Sequence, residues 1–312
     1  MNAGTHSGRS DGGSLRGSSR AQLADTAATV TMWAIGGLVL LILGLIIVHF
    51  AIASLDVMSI GFLTGDTSES AVGGVFPIIW NSVYLLLFSL LLSVPLGILA
   101  GIYMSEYAAR NRLTETIRFA EEAISSVPSI VVGMFGLILF VDTVHLPFCM
   151  LAGVLALTIF NLPLMTRLAE QALQAVPQSE RQASLALGAT KWQTIRHVVV
   201  PLGIPGLITG VILTAGRVFG EAAVLLFTAG QSVSTNLDFT NFNITDAASP
   251  YSPFRQGASL AVYVWDLNSN SINPYAHQIA NGVAMVLIAI VLIFNLGARG
   301  LGRVLTRKLT AA

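Results

Sequence analysis

Six long apolar segments constrain the fold of this chain more than any other feature. Hydrophobic residues make up 54% of its 312 residues and charged residues only 10%, whereas soluble domains carry about 25% charged residues. A helix needs about 20 apolar residues to cross roughly 30 Å of hydrocarbon. We therefore predict an all-α integral membrane protein with six transmembrane helices. The six segments are Val30–Ala53, Asn81–Tyr103, Ser126–Val144, Phe148–Met165, Ile204–Ala229 and Ile279–Leu301.

The positions of the basic residues predict the orientation of these helices. Of the sixteen Lys and Arg residues, fourteen lie in the two termini and in the second and fourth connections. Cytoplasmic connections of membrane proteins are rich in Lys and Arg. Both termini are therefore predicted to be cytoplasmic. The two exceptions are Arg255, in an outer connection, and Arg217, inside the fifth segment.

The segments between and before the apolar runs define the domain organisation. Residues 1–25 are rich in Gly, Ser and Arg, a composition that favours a disordered cytoplasmic tail. Residues 26–312 are predicted to form one membrane domain with two long connections, a cytoplasmic one at about 166–203 and an outer one at about 230–278. The outer connection carries many aromatic residues, which suit either a docking surface or an interfacial aromatic belt.

Several kinds of chemistry are missing from the sequence. A phosphate-binding P-loop needs Gly-Lys followed by Ser or Thr, but the two lysines follow Thr190 and Arg307. Neither a metal-binding pattern nor a nucleophile–base combination is evident. We therefore predict neither an enzyme nor a metal or cofactor site in this chain, and no nucleic-acid partner. Work driven by Mg-ATP must come from another polypeptide.

The cytoplasmic connection contains a short predicted helix that begins after Pro177 and stops at Gly188. Its Ala183 and Leu187 lie four apart and share a face. The segment has Gln182-Ala183-Ser184, then three residues, Gly188, nine residues, and Val198 to Pro201. This spacing resembles the Glu-Ala-Ala loop of ABC importer permeases, although Gln182 and Ser184 replace the usual Glu and Ala.

The resemblance to ABC importer permeases implies that this loop is where the ATPase acts. In the family, the loop forms a helix that fits a groove on the ATPase subunit and transmits its movement to the spans. The residues assigned to this coupling role by the match are Gln182, Ala183, Ser184, Leu187, Gly188 and Pro201. The alternative is an amphipathic helix that lies on the membrane surface.

Two charged residues, Arg217 and Glu221, lie inside the apolar fifth segment. Each charge costs roughly 2.5–3.5 kcal/mol at the bilayer centre, so intramembrane charges mark candidate functional sites. Their four-residue spacing predicts that they share a helix face and pair. An arginine fork matches the geometry of an oxyanion, and a carboxylate beside it can accept a hydrogen bond from an anion that keeps a proton, as phosphate does. The alternative is a structural salt bridge.

The segment from Arg217 to Ala229 also resembles the corresponding segment of PstA-type phosphate permeases, with Gly220-Glu221 and Leu225-Leu226-Phe227-Thr228-Ala229 in place. The resemblance implies that Arg217 and Glu221 lie on the translocation path. Arg167, at the end of the fourth segment, is a second candidate anion contact. It is also explained as a positively charged anchor at the cytoplasmic face.

The resemblance covers about three quarters of the chain and implies a type I ABC importer permease bundle for inorganic phosphate. The implied partners are a second homologous permease, a pair of ATPase subunits, an extracytoplasmic phosphate-binding protein and membrane lipid. A permease for molybdate, phosphonate or a sugar remains an alternative, as does a membrane sensor or scaffold that transports nothing.

Overall fold

The computed structural model describes residues 15–67, 73–109, 111–232 and 237–310, with side chains from 21 to 304. It consists of two units, Met1–Ile52 and Ala53–Ala312. The described part of the first unit belongs to one helix, α1, Leu15–Ala53. Residues 15–25 of the predicted disordered tail are thus helical, because Ala, Leu and Gln extend the apolar helix N-terminally. The rest of that prediction, residues 1–14, lies outside the described residues.

The second unit is also helical throughout its regular structure, and no strand occurs in the part of the chain that the structure describes. Three π-helical segments, Tyr103–Tyr107, Leu137–Thr143 and Ile195–Val199, continue or precede α-helices. The α-helices of this unit are α2 (Ile60–Thr64), α3 (Phe76–Ile102), α4 (Arg112–Ser126), α5 (Ser129–Gly136), α6 (Met150–Gln174), α7 (Gln178–Ala186), α8 (Lys191–Thr194), α9 (Val200–Gly220), α10 (Ala223–Leu226), α11 (Leu260–Ser269) and α12 (Ala276–Thr310).

Five helices of the described residues are long and apolar enough to cross a membrane, and one bent pair is a candidate sixth span. The bent pair joins Arg112–Ser126 to Ser129–Thr143 at an angle of 99°. The break falls at Pro128, which has no N–H to donate and disfavours helical backbone at the residue before it. The all-α membrane fold predicted from the sequence is therefore confirmed. The continuous spans are Ala21–Ala53, Phe76–Tyr107, Met150–Gln174, Lys191–Gly220 and Ala276–Val304.

Several predicted spans have the wrong limits, and the first begins at Ala21 rather than Val30. The fourth runs to Gln174 rather than Met165, because Ala169 and Leu173 are fully buried and continue the packed face of α6. The fifth begins at Lys191, where Thr190 and Gln193 form a capping box. It ends at Gly220 rather than Ala229. The predicted loop at 166–203 is therefore mostly helix.

The contact between α3 and α6 forms the centre of the second unit. A Cβ added to Gly97 would lie 2.6 Å from the Cγ atom of Met165, and one added to Gly101 would lie 2.6 Å from the Cβ atom of Ala169. Small residues allow helix backbones to approach closely in a membrane, where packing rather than water drives association. The two helices run parallel, so their starts lie at one end of the unit and their ends at the other.

The two ends of this unit differ in what covers them. At the first, which we call the loop end, the described residues 237–259 fold back on the starts of α3 and α6. Trp80 donates to the carbonyl of Pro250 at 3.0 Å, and Met150 N donates to the carbonyl of Arg255 at 2.8 Å. At the second, the basic end, α3 and α6 terminate beside α7 and α8.

Candidate functional site

Arg217 lies in the last turn of α9 and faces α6. Its guanidinium carbon is 3.7 Å from the centroid of the Phe160 ring, a cation–π contact that is stronger where water is excluded. The three ion pairs of the described residues do not include Arg217. Its positive charge is therefore held by an aromatic face and is not neutralised by a carboxylate in direct contact.

Glu221 does not continue the helix that carries Arg217. Its backbone is extended, with ψ of 116°, and its N–H donates to the carbonyl of Val218. The side chain is 8% exposed, and its Oε1 atom accepts a hydrogen bond from Val224 N at 3.2 Å. The described residues therefore contain no Arg217–Glu221 ion pair along one helix face, although the charge of Glu221 still acts on Arg217 across the turn. Helix α9 stops before Glu221, and the carboxylate caps the start of α10.

Open space adjoins the turn between Arg217 and Glu221. A Cβ atom added to Gly216 or to Gly220 would meet no atom within 4 Å. Gly220 is exposed, whereas Val218 and Phe219 beside it are buried. The turn thus combines a cation, a carboxylate and an uncovered stretch of backbone, in a segment whose other side is packed.

Arg167 lies elsewhere. It is seven residues beyond Phe160 along α6, about 10 Å along the helix axis. Its Nη1 atom is 4.0 Å from Glu122 Oε1, and both side chains are largely exposed. A cleft of about 280 Å³ at this place is lined by carboxylates as well as arginines. Arg118 there binds Glu170 at 2.7 Å and joins α4 to α6. The structure therefore separates Arg167 from Arg217 and gives it a mixed-charge setting.

The predicted coupling helix is present as α7, Gln178–Ala186, and none of its residues is buried. Gln182 and Ala183 are exposed, and Leu187, just beyond the helix, is 90% exposed. Gly188 stops the helix with a left-handed φ of +85°, a conformation that glycine adopts without strain.

The remaining coupling residues lie on the side of the loop that touches the bundle. The hydroxyl groups of Ser184 and Thr194 are 3.0 Å apart and link α7 to α8. Pro201 lies in the first turn of α9, directly after the π-helical segment Ile195–Val199. The missing N–H of a proline is tolerated at the start of a helix. The loop therefore has an outer face open to a partner and an inner face held by hydrogen bonds.

Two arginines, Arg181, which is half-buried, and Arg255, which is buried, were not identified as site residues from the sequence. Arg181, on α7, donates to Glu106 at 3.0 Å. Arg255 is only 2% exposed and donates to Asn81 Oδ1 at 2.6 Å and to the Pro250 carbonyl. Burial lowers the pKa of the Arg255 guanidinium to about 10, so it stays charged at neutral pH. Both partners are distant in sequence, so local spacing could not reveal them.

The described residues contain no group of three or more His, Cys, Asp or Glu side chains that could hold a metal ion. The only cysteine in the sequence, Cys149, is free and buried.

Comparison with known proteins identifies the family. Residues 93–311 match the family described as binding-protein-dependent transport system inner membrane component. Probable ABC transporter permease protein YqgI of Bacillus subtilis (strain 168) is 45% identical over 84% of this chain and 90% of its own length. Phosphate transport system permease protein PstA of Yersinia pestis is 36% identical over 66% of this chain and 72% of its own. Phosphate transport system permease protein PstA 1 of Mycobacterium tuberculosis (strain CDC 1551 / Oshkosh) is 32% identical over 79% of this chain and 76% of its own length.

Solved structures share the fold. A chain of the MetNI methionine ABC transporter in an inward-facing conformation has a TM-score of 0.54 at 20% identity, covering 74% of this chain and 94% of that chain. A chain of the bacterial alginate ABC transporter, in complex with its pentasaccharide-bound periplasmic protein, has a TM-score of 0.58 at 14% identity, covering 91% and 95%. This chain belongs to the inner membrane components of binding-protein-dependent transport systems and is a permease subunit of an ABC importer.

Proposed function

We propose that this permease imports inorganic phosphate and that Arg217 contacts the anion during its passage. The observation that carries the proposal is a guanidinium inside an apolar span that rests on the Phe160 ring at 3.7 Å without a carboxylate bonded to it. A charge in a span is costly, so it is retained where it serves a pathway. The PstA relatives, named as phosphate permeases, support phosphate as the solute.

Glu221 gives a physical basis for selecting phosphate over sulfate. Its Oε1 atom is used by Val224 N, and its second oxygen has no hydrogen-bond partner among the described residues. A buried carboxylate repels a fully deprotonated dianion but accepts a hydrogen bond from a hydroxyl of hydrogen phosphate. Sulfate at neutral pH has no proton to donate. Arg167, in its mixed-charge cleft, is proposed as a weaker contact near the basic end.

The proposal assigns energy coupling to α7. This helix buries none of its own residues and presents Ala183 and Leu187 outward, which suits insertion into a groove on an ATPase subunit. Mg-ATP would bind that ATPase pair, while a second homologous permease, an extracytoplasmic phosphate-binding protein and membrane lipid complete the assembly. Both termini and α7 then face the cytoplasm, as the basic residues indicate.

The test is uptake of radiolabelled phosphate into proteoliposomes that contain the complete importer. We expect Arg217→Gln to lower uptake roughly 10- to 100-fold, the loss of one charged hydrogen bond of about 1.5–3 kcal/mol. Arg217→Lys keeps the positive charge but lacks the planar fork of the guanidinium, so we expect its uptake to lie between those of wild type and Arg217→Gln. Arg303→Gln, at an exposed position on α12, is the matched control.

Competing solutes decide between phosphate and the alternatives. We expect excess unlabelled phosphate to abolish the signal and sulfate, molybdate, phosphonate or maltose to leave it intact. Uptake that Arg217→Gln leaves unchanged would remove the path assignment. If the complex hydrolyses ATP but carries a different solute, the proposal that phosphate is the solute is contradicted, whereas the assignment of the chain as a permease subunit stands.

A further inference from the structure

Among the described residues, Arg181 makes three of the four side-chain hydrogen bonds that join helix α7 to other segments, and the fourth is the Ser184–Thr194 bond. The Nη2 atom of Arg181 donates to the carbonyl of Leu173 at 2.7 Å and to Glu106 Oε1 at 3.0 Å, and its Nη1 atom donates to the carbonyl of Val176 at 2.9 Å. The side chains of Arg181 and Glu106 are 14% and 10% exposed. This fork therefore fastens α7 both to the end of α6 and to the segment that follows α3.

A second contact reaches the same segment from the other side of the loop. The Nζ atom of Lys191, at the start of α8, lies 4.7 Å from the centroid of the Tyr107 ring. Glu106 and Tyr107 are neighbours within the π-helical segment Tyr103–Tyr107. We call the segment from α7 to α8, residues 178–194, the coupling loop. It thus contacts one turn of the second span at two adjacent residues, Glu106 from α7 and Tyr107 from α8.

The held segment differs from the helix that it extends. A π-helical turn contains an extra residue, is less favourable than α-helix and occurs frequently at functional sites. Between this turn and the loop lies a cleft of about 430 Å³, lined by Glu106, Arg181, Leu185 and Lys191 among others. The loop and the turn are therefore not closely packed across this cleft, and the Arg181–Glu106 and Lys191–Tyr107 contacts are what join them there.

We infer that the segment Tyr103–Tyr107 receives the movement of the coupling loop and passes it to the second span. Arg181 and Lys191 are positioning residues in this scheme: they act through Glu106 and Tyr107 and touch neither solute nor nucleotide. A pull on α7 is shared between α6, through the two carbonyls, and α3, through the ion pair. The inference rests on the proposed coupling role of α7, and it adds which span moves and by which contacts.

The test measures the number of solute molecules imported per ATP hydrolysed by the reconstituted importer. Glu106→Gln removes the charge from the ion pair, and Glu106→Gln with Lys191→Gln breaks both contacts. We expect the ratio to fall several-fold in the first variant and further in the second. Affinity for the ATPase, measured by pull-down of the purified partner, should stay within twofold of wild type. The control, Glu115→Gln, removes an equal charge from an exposed site on α4.

Arg181→Lys is the third variant. Lysine keeps the positive charge but cannot bind the carbonyls and Glu106 together as a fork does, so we expect bound ATPase and a lowered import ratio. Normal ratios in all three variants would overturn the inference. So would an equal loss of ATPase binding and import, since that marks a purely structural contact. If the wild-type chain fails to bind an ATPase, the proposed coupling function itself fails, a result separate from either.

Discussion

The loop end and the basic end of the second unit are fastened by different interactions. At the loop end, Arg255 is 2% exposed and bonds to an amide oxygen and carbonyls. At the basic end, the described ion pairs Arg118–Glu170, Arg167–Glu122 and Arg181–Glu106 join helices that are partly exposed. Both ends use arginine, but among the described residues only the basic end pairs it with carboxylates.

This difference suggests that the loop end is a rigid cap, whose contacts are costly to break, and that the basic end is able to change its contacts. A buried cation held by neutral acceptors is costly to disturb, because any loss of an acceptor leaves a charge in a dry site. The Arg167–Glu122 pair, exposed on both sides, contributes about 0–1 kcal/mol and exchanges readily with water. The loop end should therefore carry global stability, and the basic end, where α7 buries none of its own residues, should carry movement.

The largest effect should follow from Asn81→Leu at the loop end. The substitution removes the 2.6 Å acceptor of Arg255 and the donor to the Ala258 carbonyl. We expect a loss of about 3 kcal/mol of unfolding free energy, since the Ala258 carbonyl loses this donor and the buried Arg255 guanidinium keeps only backbone carbonyls as acceptors. Thermal unfolding in nanodiscs measures this loss. Asn268→Leu, at an exposed position on α11, should change stability little. Equal effects of the two substitutions would contradict the claim that the loop end carries global stability.

A smaller effect should follow from Gly257→Ala, also at the loop end. A Cβ atom there would lie 2.7 Å from Met150 Sδ and 2.9 Å from Asn81 Nδ2. We expect a loss of about 2 kcal/mol from overpacking, measured by the same unfolding experiment. Gly297→Ala, where an added Cβ meets nothing within 4 Å, serves as the control and should be neutral or slightly stabilising because alanine favours helix.

The smallest effect should follow from Gly188→Ala at the basic end. An added Cβ atom would meet nothing within 4 Å, but the φ of +85° is unfavourable for residues with a side chain. We expect the substitution to cost about 1 kcal/mol of local stability. Because α7 buries none of its residues, we expect faster hydrogen exchange at residues 183–189 with little change in global melting. Gly188→Asn, which tolerates the left-handed region, should restore protection. If Gly188→Ala lowered the melting temperature as much as Gly257→Ala does, the proposed difference in global stability between the loop end and the basic end would be contradicted.

Composition and periodicity were enough to predict the helical membrane fold, the short coupling helix and its stop at Gly188. They failed where tertiary contacts decide. Helix α6 passes Met165 because Ala169 and Leu173 find a buried partner surface, which the hydropathy of one segment cannot reveal. Likewise, nothing local in the sequence shows that Arg181 reaches back to Glu106.

The Arg217–Glu221 pair shows the limit of spacing arguments most clearly. Four residues bring two side chains together only if the helix continues between them. Gly216 and Gly220 weaken that continuity, and the carboxylate gains a backbone donor by leaving the helix. The same two residues were identified correctly as charges within the apolar segment, but their relation to each other was not.

The interruption at Gly220 also limits the surroundings in which this subunit can exist. Hydrocarbon tails offer nothing to a peptide group that lacks an internal partner, so non-helical backbone at membrane depth must be shielded by protein or wetted. Gly220 is exposed on this subunit. A solitary copy dispersed in lipid would therefore be at a disadvantage, and the break favours an assembled state in which that side of α9 meets water or another polypeptide.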